Sequence, residues 1–182
     1  MKNLISPEEL QLIDKCLAGE GKSQKLLYQK YVNAMYHTVV RMVGNSEDAR
    51  DIIQDTFIKV FHHLGSFRKD STLGAWIKRI AVNTALNFLR TEKNLQTMPF
   101  EEHLNERPME EEEVKTVNMK AIHHAIKSLP EGSRVVLTLF LLEGYQHQEI
   151  AQILDITEST SKTQYRRGKL MLQEKLKEQW KG

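Results

Sequence analysis

Apolar residues in this chain recur every three or four positions from residue 10 to residue 172, and that spacing fails once, between residues 94 and 115. This constrains the fold more than any other feature. A period near 3.6 gathers apolar side chains on one face of an α-helix and does not suit a strand. The interruption holds Pro99, Pro108 and the run Glu110-Glu111-Glu112-Glu113. Such a segment has no apolar face to bury and reads as a tether. The expected fold is all-α: two small helical domains over residues 1–93 and 116–182, joined by an acidic flexible linker over 94–115. A chain of 182 residues has room for two such domains, and only 4 Pro and 9 Gly leave few breaks for turned strands. The pattern holds no convincing strand and no repeat.

Helix boundaries are legible locally. Ser6-Pro7-Glu8-Glu9 predicts a helix start, with Ser6 as cap, Pro7 in the first turn and Glu9 completing a capping box. Leu10, Ile13 and Leu17 follow at helical spacing, and Gly19 is a stop. A second helix is expected from about 23 to 43 on Leu26, Leu27, Tyr31, Met35, Val39 and Met42, stopped by Gly44. Ser46 opens a third, with Glu47 and Asp48 favoured by the helix dipole and a core stripe of Ile53, Phe57, Val60, Phe61 and Leu64 closed by Gly65. A polar loop, Phe67 to Thr72, precedes a fourth helix carrying Leu73, Trp76, Ile77, Ile80, Ala81, Ala85, Phe88 and Leu89. Helical pattern resumes near Val114 with Val117, Ala121, Ile122, Ala125 and Ile126. It breaks at Leu129-Pro130-Glu131-Gly132, then continues from Val135 to Glu143, from 147 to 154 and from 158 to 180.

Composition narrows the function classes. The net charge is +2, so any basic surface is local. One cysteine, Cys16, allows no intrachain disulfide and no CxxC metal knuckle. The start of the chain turns polar too soon for a signal peptide, and no run approaches the ~20 apolar residues that cross a bilayer. The expected location is the cytoplasm, with no membrane insertion. No nucleotide-binding glycine loop and no nucleophile–base set stands out. The pairs His62-His63 and His123-His124 point about 100° apart on a helix and do not readily share a metal. Neither a catalytic residue nor a metal or other cofactor is expected.

The most specific local pattern runs from Gln148 to Lys169. Ile150, Ile153 and Leu154 make one buried face, Ala151 permits a close helix crossing, Asp155 tolerates a left-handed turn, and Ile156 pins the turn. Thr157 or Ser159 caps the next helix, whose cations concentrate early. That is a helix-turn-helix. Ser159, Thr160, Lys162, Thr163, Arg166, Arg167 and Lys169 are its candidate DNA-binding residues, the polar ones at base edges and the cations on phosphates. The plainer reading is a helical hairpin with a solvated basic face.

The first half is more distinctive. Gly44-Asn45-Ser46-Glu47-Asp48-Ala49-Arg50-Asp51-Ile52-Ile53-Gln54-Asp55-Thr56-Phe57, then Phe67-Arg68-Lys69-Asp70-Ser71, then Trp76 to Ala85, resemble region 2 of the extracytoplasmic-function group of sigma-70 factors. Leu129-Pro130, Leu142-Glu143-Gly144-Tyr145 and the helix-turn-helix resemble region 4. The likeness covers about 24–93 and 116–177, in the family's order. It implies a sigma factor whose partners are core RNA polymerase (the clamp of the largest subunit and the flap of the second-largest), promoter DNA and an anti-sigma factor.

The resemblance assigns roles. Asp51, Gln54, Asp55 and Ile58 form an outer stripe that docks on the polymerase clamp; a solvated helix face is the alternative. Phe67, Arg68, Lys69, Asp70 and Ser71 lie in the loop that captures a base flipped from the −10 element. Lys78, Arg79, Asn83 and Asn87 contact the separated strand. Trp76 is a stacking platform or, more in keeping with its spacing, core. The second domain reads the −35 element. The acidic linker matches the segment that threads the polymerase cleft, or is a solvated tether. Four residues depart from the usual pattern: Ser161 stands where an apolar residue is common, Gln164 where Arg is, Gly168 for Ala, and Asp155 for Gly. A Gly at 168 costs the helix about 1 kcal/mol. Two rival functions are a free-standing helix-turn-helix regulator and a protein-binding adaptor that has lost DNA contact.

Overall fold

The computed structural model describes residues 5–92 and 119–180. It forms two compact units, Met1–Asn94 and Leu95–Gly182. The described residues form helices joined by short loops and turns, with no strand among them. Val114, Val117 and the acidic linker lie outside the described residues.

The first unit contains α1 (Pro7–Leu17), α2 (Gly21–Val43), α3 (Ser46–His63) and α4 (Leu73–Glu92). Helices α2, α3 and α4 pack pairwise around one core, and α1 lies on α2. Leu27, Met35, Val39 and Met42 from α2, Ile52, Ile53, Phe57 and Val60 from α3, and Leu73, Ile77, Ala81, Ala85 and Leu89 from α4 are buried there. Leu26 was expected in the α2 stripe but is 56% exposed. It sits about 100° round the helix from Leu27, and Leu27, Tyr31 and Met35 repeat at i+4 without it. Leu17 is likewise exposed, and α1 buries Ile13 and Cys16 instead. Cys16 is therefore a packing residue.

Capping follows the sequence with three departures. The Glu9 amide donates to Ser6 Oγ at 3.2 Å. The Glu9 carboxylate turns mainly to α2, where Lys30 Nζ donates at 2.8 Å and the Tyr31 hydroxyl donates as well. These two bonds, Lys30 first, hold its pKa below the ordinary value. Asn45 rather than Ser46 caps α3, accepting from the Glu47 amide at 2.9 Å. Gly44 ends α2 at φ 77°. A short 3₁₀ turn, Leu64–Ser66, follows α3, so Gly65 continues a turn rather than closing the helix.

The second unit contains α5 (Met119–Lys127), α6 (Glu131–Leu137), α7 (His147–Leu154) and α8 (Glu158–Trp180), with a π-helical turn over Thr138–Leu142. Helix α8 is the centre: α5, α6 and α7 all pack on it. Ile126, Leu129 and Leu137 form a core against which Ile122, Met171 and Leu172 rest. Arg134 is buried, and its Nη1 donates to the Leu129 and Lys127 carbonyls at 3.1 and 3.4 Å. A buried cation thereby satisfies carbonyls at the end of α5, where the helix dipole favours positive charge.

Candidate polymerase and promoter surfaces

On α3 the burial pattern separates two faces. Ile52, Ile53, Thr56, Phe57 and Val60 are buried, while Asp51, Gln54, Asp55 and Ile58 are exposed. The exposed four fall at i, i+3, i+4 and i+7, which aligns them along one stripe. Ile58 is 67% exposed, the most open of the large apolar side chains described. An isolated exposed Ile needs no explanation. Ile58 closes a line of two carboxylates and an amide, giving the stripe an apolar end beside a polar run.

The 67–72 loop is anchored at both ends. Phe67 is only 7% exposed and its ring lies 5.3 Å from that of Trp76. Phe67 therefore holds the loop to the core and does not project toward a base. Its amide donates to the Leu64 carbonyl at 3.2 Å. At the other end Thr72 Oγ1 accepts from the Ala75 amide at 3.2 Å and caps α4. Between the anchors Arg68, Lys69 and Asp70 are exposed and Ser71 is half-buried. Lys69 has φ 63°, one of two non-glycine residues with positive φ among those described. A long side chain there carries a backbone cost, so the anchors over-determine the loop's shape.

Along α4, Arg79, Asn83 and Asn87 are exposed and spaced by four, so they share one face. Lys78 lies about 100° away on the helix and is half-buried. The structure thus groups three of the four expected strand contacts and sets Lys78 apart.

The helix-turn-helix is formed as its sequence predicts. Asp155 ends α7 in the left-handed region, φ 56° and ψ 48°. The Ile156 amide donates to the Ala151 carbonyl at 3.0 Å. Thr157 is the cap of α8, its Oγ1 accepting from the Thr160 amide at 3.0 Å and lying 2.8 Å from Thr160 Oγ1. Thr160 therefore serves the cap. Ile150 is buried, and Ile153 and Leu154 are half-buried.

Helix α8 is sharply two-faced. Ser159, Lys162 and Arg166 are exposed; Thr163, Arg167 and Lys169 are half-buried beside them. Lys162 Nζ is paired with Glu158 at 2.7 Å, an exposed i,i+4 pair of the kind that water and salt leave weak. It can exchange that partner for a phosphate at little cost. The inner face carries Ser161, Gln164 and Gly168. Ser161 is fully buried. Ser133 Oγ donates to Gln164 Oε1 at 2.8 Å. A Cβ on Gly168 would lie 3.1 Å from the Ser133 carbonyl oxygen and 3.2 Å from Leu137 Cδ1. The departures at 161, 164 and 168 thus share one internal face against α6 and α7. Sequence reasoning missed this face because none of the three is apolar.

Two family models match, one to each unit: sigma-70 region 2 over residues 27–94 and sigma-70 region 4 over residues 119–172. The chain belongs to the sigma-70 family. Within the sigma family it falls in the extracytoplasmic-function group. It is 32% identical over 181 residues to an Escherichia coli K12 ECF RNA polymerase sigma-E factor, covering 91% of this chain and 92% of that one. A Pseudomonas aeruginosa RNA polymerase sigma-H factor is 30% identical over 167 residues, covering 83% of this chain and 84% of its own length. Among solved structures, the Bartonella quintana sigma factor RpoE, crystallised with the anti-sigma factor NepR, shares the fold with a TM-score of 0.57 at 20% identity, covering 84% of this chain and 96% of that one. This protein is accordingly a sigma factor, and the free-standing regulator is set aside. No helix among the described residues is long and apolar enough to cross a membrane.

Proposed function

We propose that this sigma factor binds core RNA polymerase through the outer stripe of α3, assists opening of the −10 element with the 68–71 loop and the Arg79–Asn83–Asn87 face, and reads the −35 element with the outward face of α8. The observation that carries the reading is the α3 stripe: Asp51, Gln54 and Asp55 run along one face to Ile58, which is 67% exposed. An open apolar side chain beside carboxylates offers a partner both an anchor and polar contacts. The exposed loop cations and asparagines supply phosphate and base-edge contacts for a separated strand. Domain limits of 1–93 and 116–182, with the acidic segment threading the polymerase cleft, complete the proposal. The polymerase supplies the catalysis, and the protein works in the cytoplasm. An anti-sigma partner is part of the reading, since a structural relative was crystallised with one.

The test is co-elution of the purified chain with sigma-free core polymerase on a sizing column. Wild type is expected to co-elute, and Ile58→Ala and Asp55→Ala to weaken association about tenfold each while keeping the helical circular dichroism of the parent. Normal association of both variants removes the stripe from the site.

A further inference from the structure

Behind the outward face of α8 an aromatic and polar cluster joins three elements of the second unit. The His147 ring stacks on Phe140, with centroids 4.3 Å apart and planes at 15°. It meets Tyr165 edge-on at 5.6 Å, and Phe140 and Tyr165 lie 4.6 Å apart. His147 Nδ1 lies 2.9 Å from Ser161 Oγ. In the neutral ring with the proton on Nε2, Ser161 donates this bond. His147 opens α7, Phe140 belongs to the π-helical turn, and Ser161 and Tyr165 are one turn apart on α8. A fully buried hydroxyl requires a partner, and His147 provides one for Ser161.

Apolar packing alone sets how near α8 lies, but it tolerates some rotation about the helix axis. A hydrogen bond to one hydroxyl, held beside a stacked ring, is directional. Because Ser161 precedes Lys162 and Thr163, their angular position follows from its own. We infer that His147 is a positioning residue for promoter recognition: by holding Ser161 and Tyr165 from behind, it sets the rotation of α8 and so which outward side chains reach base edges. This rests on α8 being the promoter-reading helix. Ser133 and Gln164 brace the same internal face further along α8.

The experiment uses the full chain assembled with core polymerase and a pool of duplexes randomised upstream of a fixed downstream element. Wild type, Ser161→Ala, His147→Phe and the double variant each select from the pool. Binding to the wild-type-enriched duplex is then compared with a scrambled duplex over a salt series. Alanine at 161 keeps the helix, and Phe at 147 keeps the ring but loses Nδ1. Each single variant is expected to lower the enriched-to-scrambled ratio about threefold to tenfold. The salt slope should stay unchanged, because phosphate contacts persist. The double variant should lose no more than His147→Phe alone, the mark of two residues acting through one bond. Variants with the wild-type ratio overturn the inference. So does an equal loss on both duplexes, which marks a packing defect. If wild type itself enriches no upstream sequence, α8 is not the reader, and the inference falls with that reading.

Discussion

Gly168 occupies the middle of a long helix, where glycine is disfavoured by about 1 kcal/mol relative to alanine. Its neighbour explains it. The Ser133 carbonyl comes so close that a Cβ would sit 3.1 Å away, and backbone cannot yield as a flexible side chain can. Gly168→Ala should therefore destabilise the second unit by about 1 kcal/mol, overpacking outweighing the propensity gain. Amide exchange across α6 and α8 reads this directly, and slower exchange in the variant would show the crossing to be soft. Asp155 is the opposite case. Its left-handed φ of 56° is open to Asp but easier for Gly. Asp155→Gly should raise stability by about 0.5–1 kcal/mol, seen as a higher denaturant midpoint for the second unit; a lower one would mean that the aspartate side chain contributes more than the backbone loses.

At the scale of elements, charge and burial set the behaviour of α8 and its support. Burial first, and Lys162 second, hold His147 below its ordinary pKa of 6.5, with Glu158 opposing. Lys162, Glu158 and Tyr165 are the titratable groups that face it from α8; Phe140 on the other side carries none. A histidine with a lowered folded value binds fewer protons folded than unfolded. Its contribution is whole above the ordinary range and declines as pH falls through 6.5 toward the folded value. The second unit should thus unfold more readily at pH 5.5 than at 7.5, and His147→Phe should flatten that dependence. An unchanged pH profile in the variant would assign the effect to other groups. On the outward face, Arg166→Ala and Arg167→Ala should each weaken duplex binding and lower the magnitude of the salt slope by about 1. A slope equal to wild type would take that arginine off the phosphate backbone.

For the whole molecule, the two units carry different tasks with different charge. Acids line the exposed stripe of α3, and cations gather on α8, which is how a chain of net charge +2 can present both kinds of surface. Ile58 and Arg166 lie in separate compact units and are assigned to different partners, polymerase and duplex, so the effects of substituting them should add. Ile58→Ala combined with Arg166→Ala should lose polymerase association and upstream duplex binding by the sum of the single losses, within about 0.5 kcal/mol. A larger deviation in a combined holoenzyme–promoter titration would show that one surface is altered through the other. Much of this organisation was legible beforehand. Apolar period, caps and glycine stops placed α2, α3, α7 and α8, the helix-turn-helix turn at Asp155, and the outward stripe of α3, because each depends on residues within a turn or two of one another. What only the tertiary structure decided is which side of a mixed helix faces inward. Leu26 was counted as core and is exposed; Phe67 was placed at the DNA and is buried; Ser161 and Gln164 stood out only as departures from the family pattern and lie on the inner face of α8, Ser161 buried and Gln164 half-buried. Local periodicity reports where apolar side chains lie. It is silent about polar residues turned inward by partners distant in sequence, as Ser161 is by His147 and Gln164 by Ser133, since those hydrogen bonds exist only once the helices have packed.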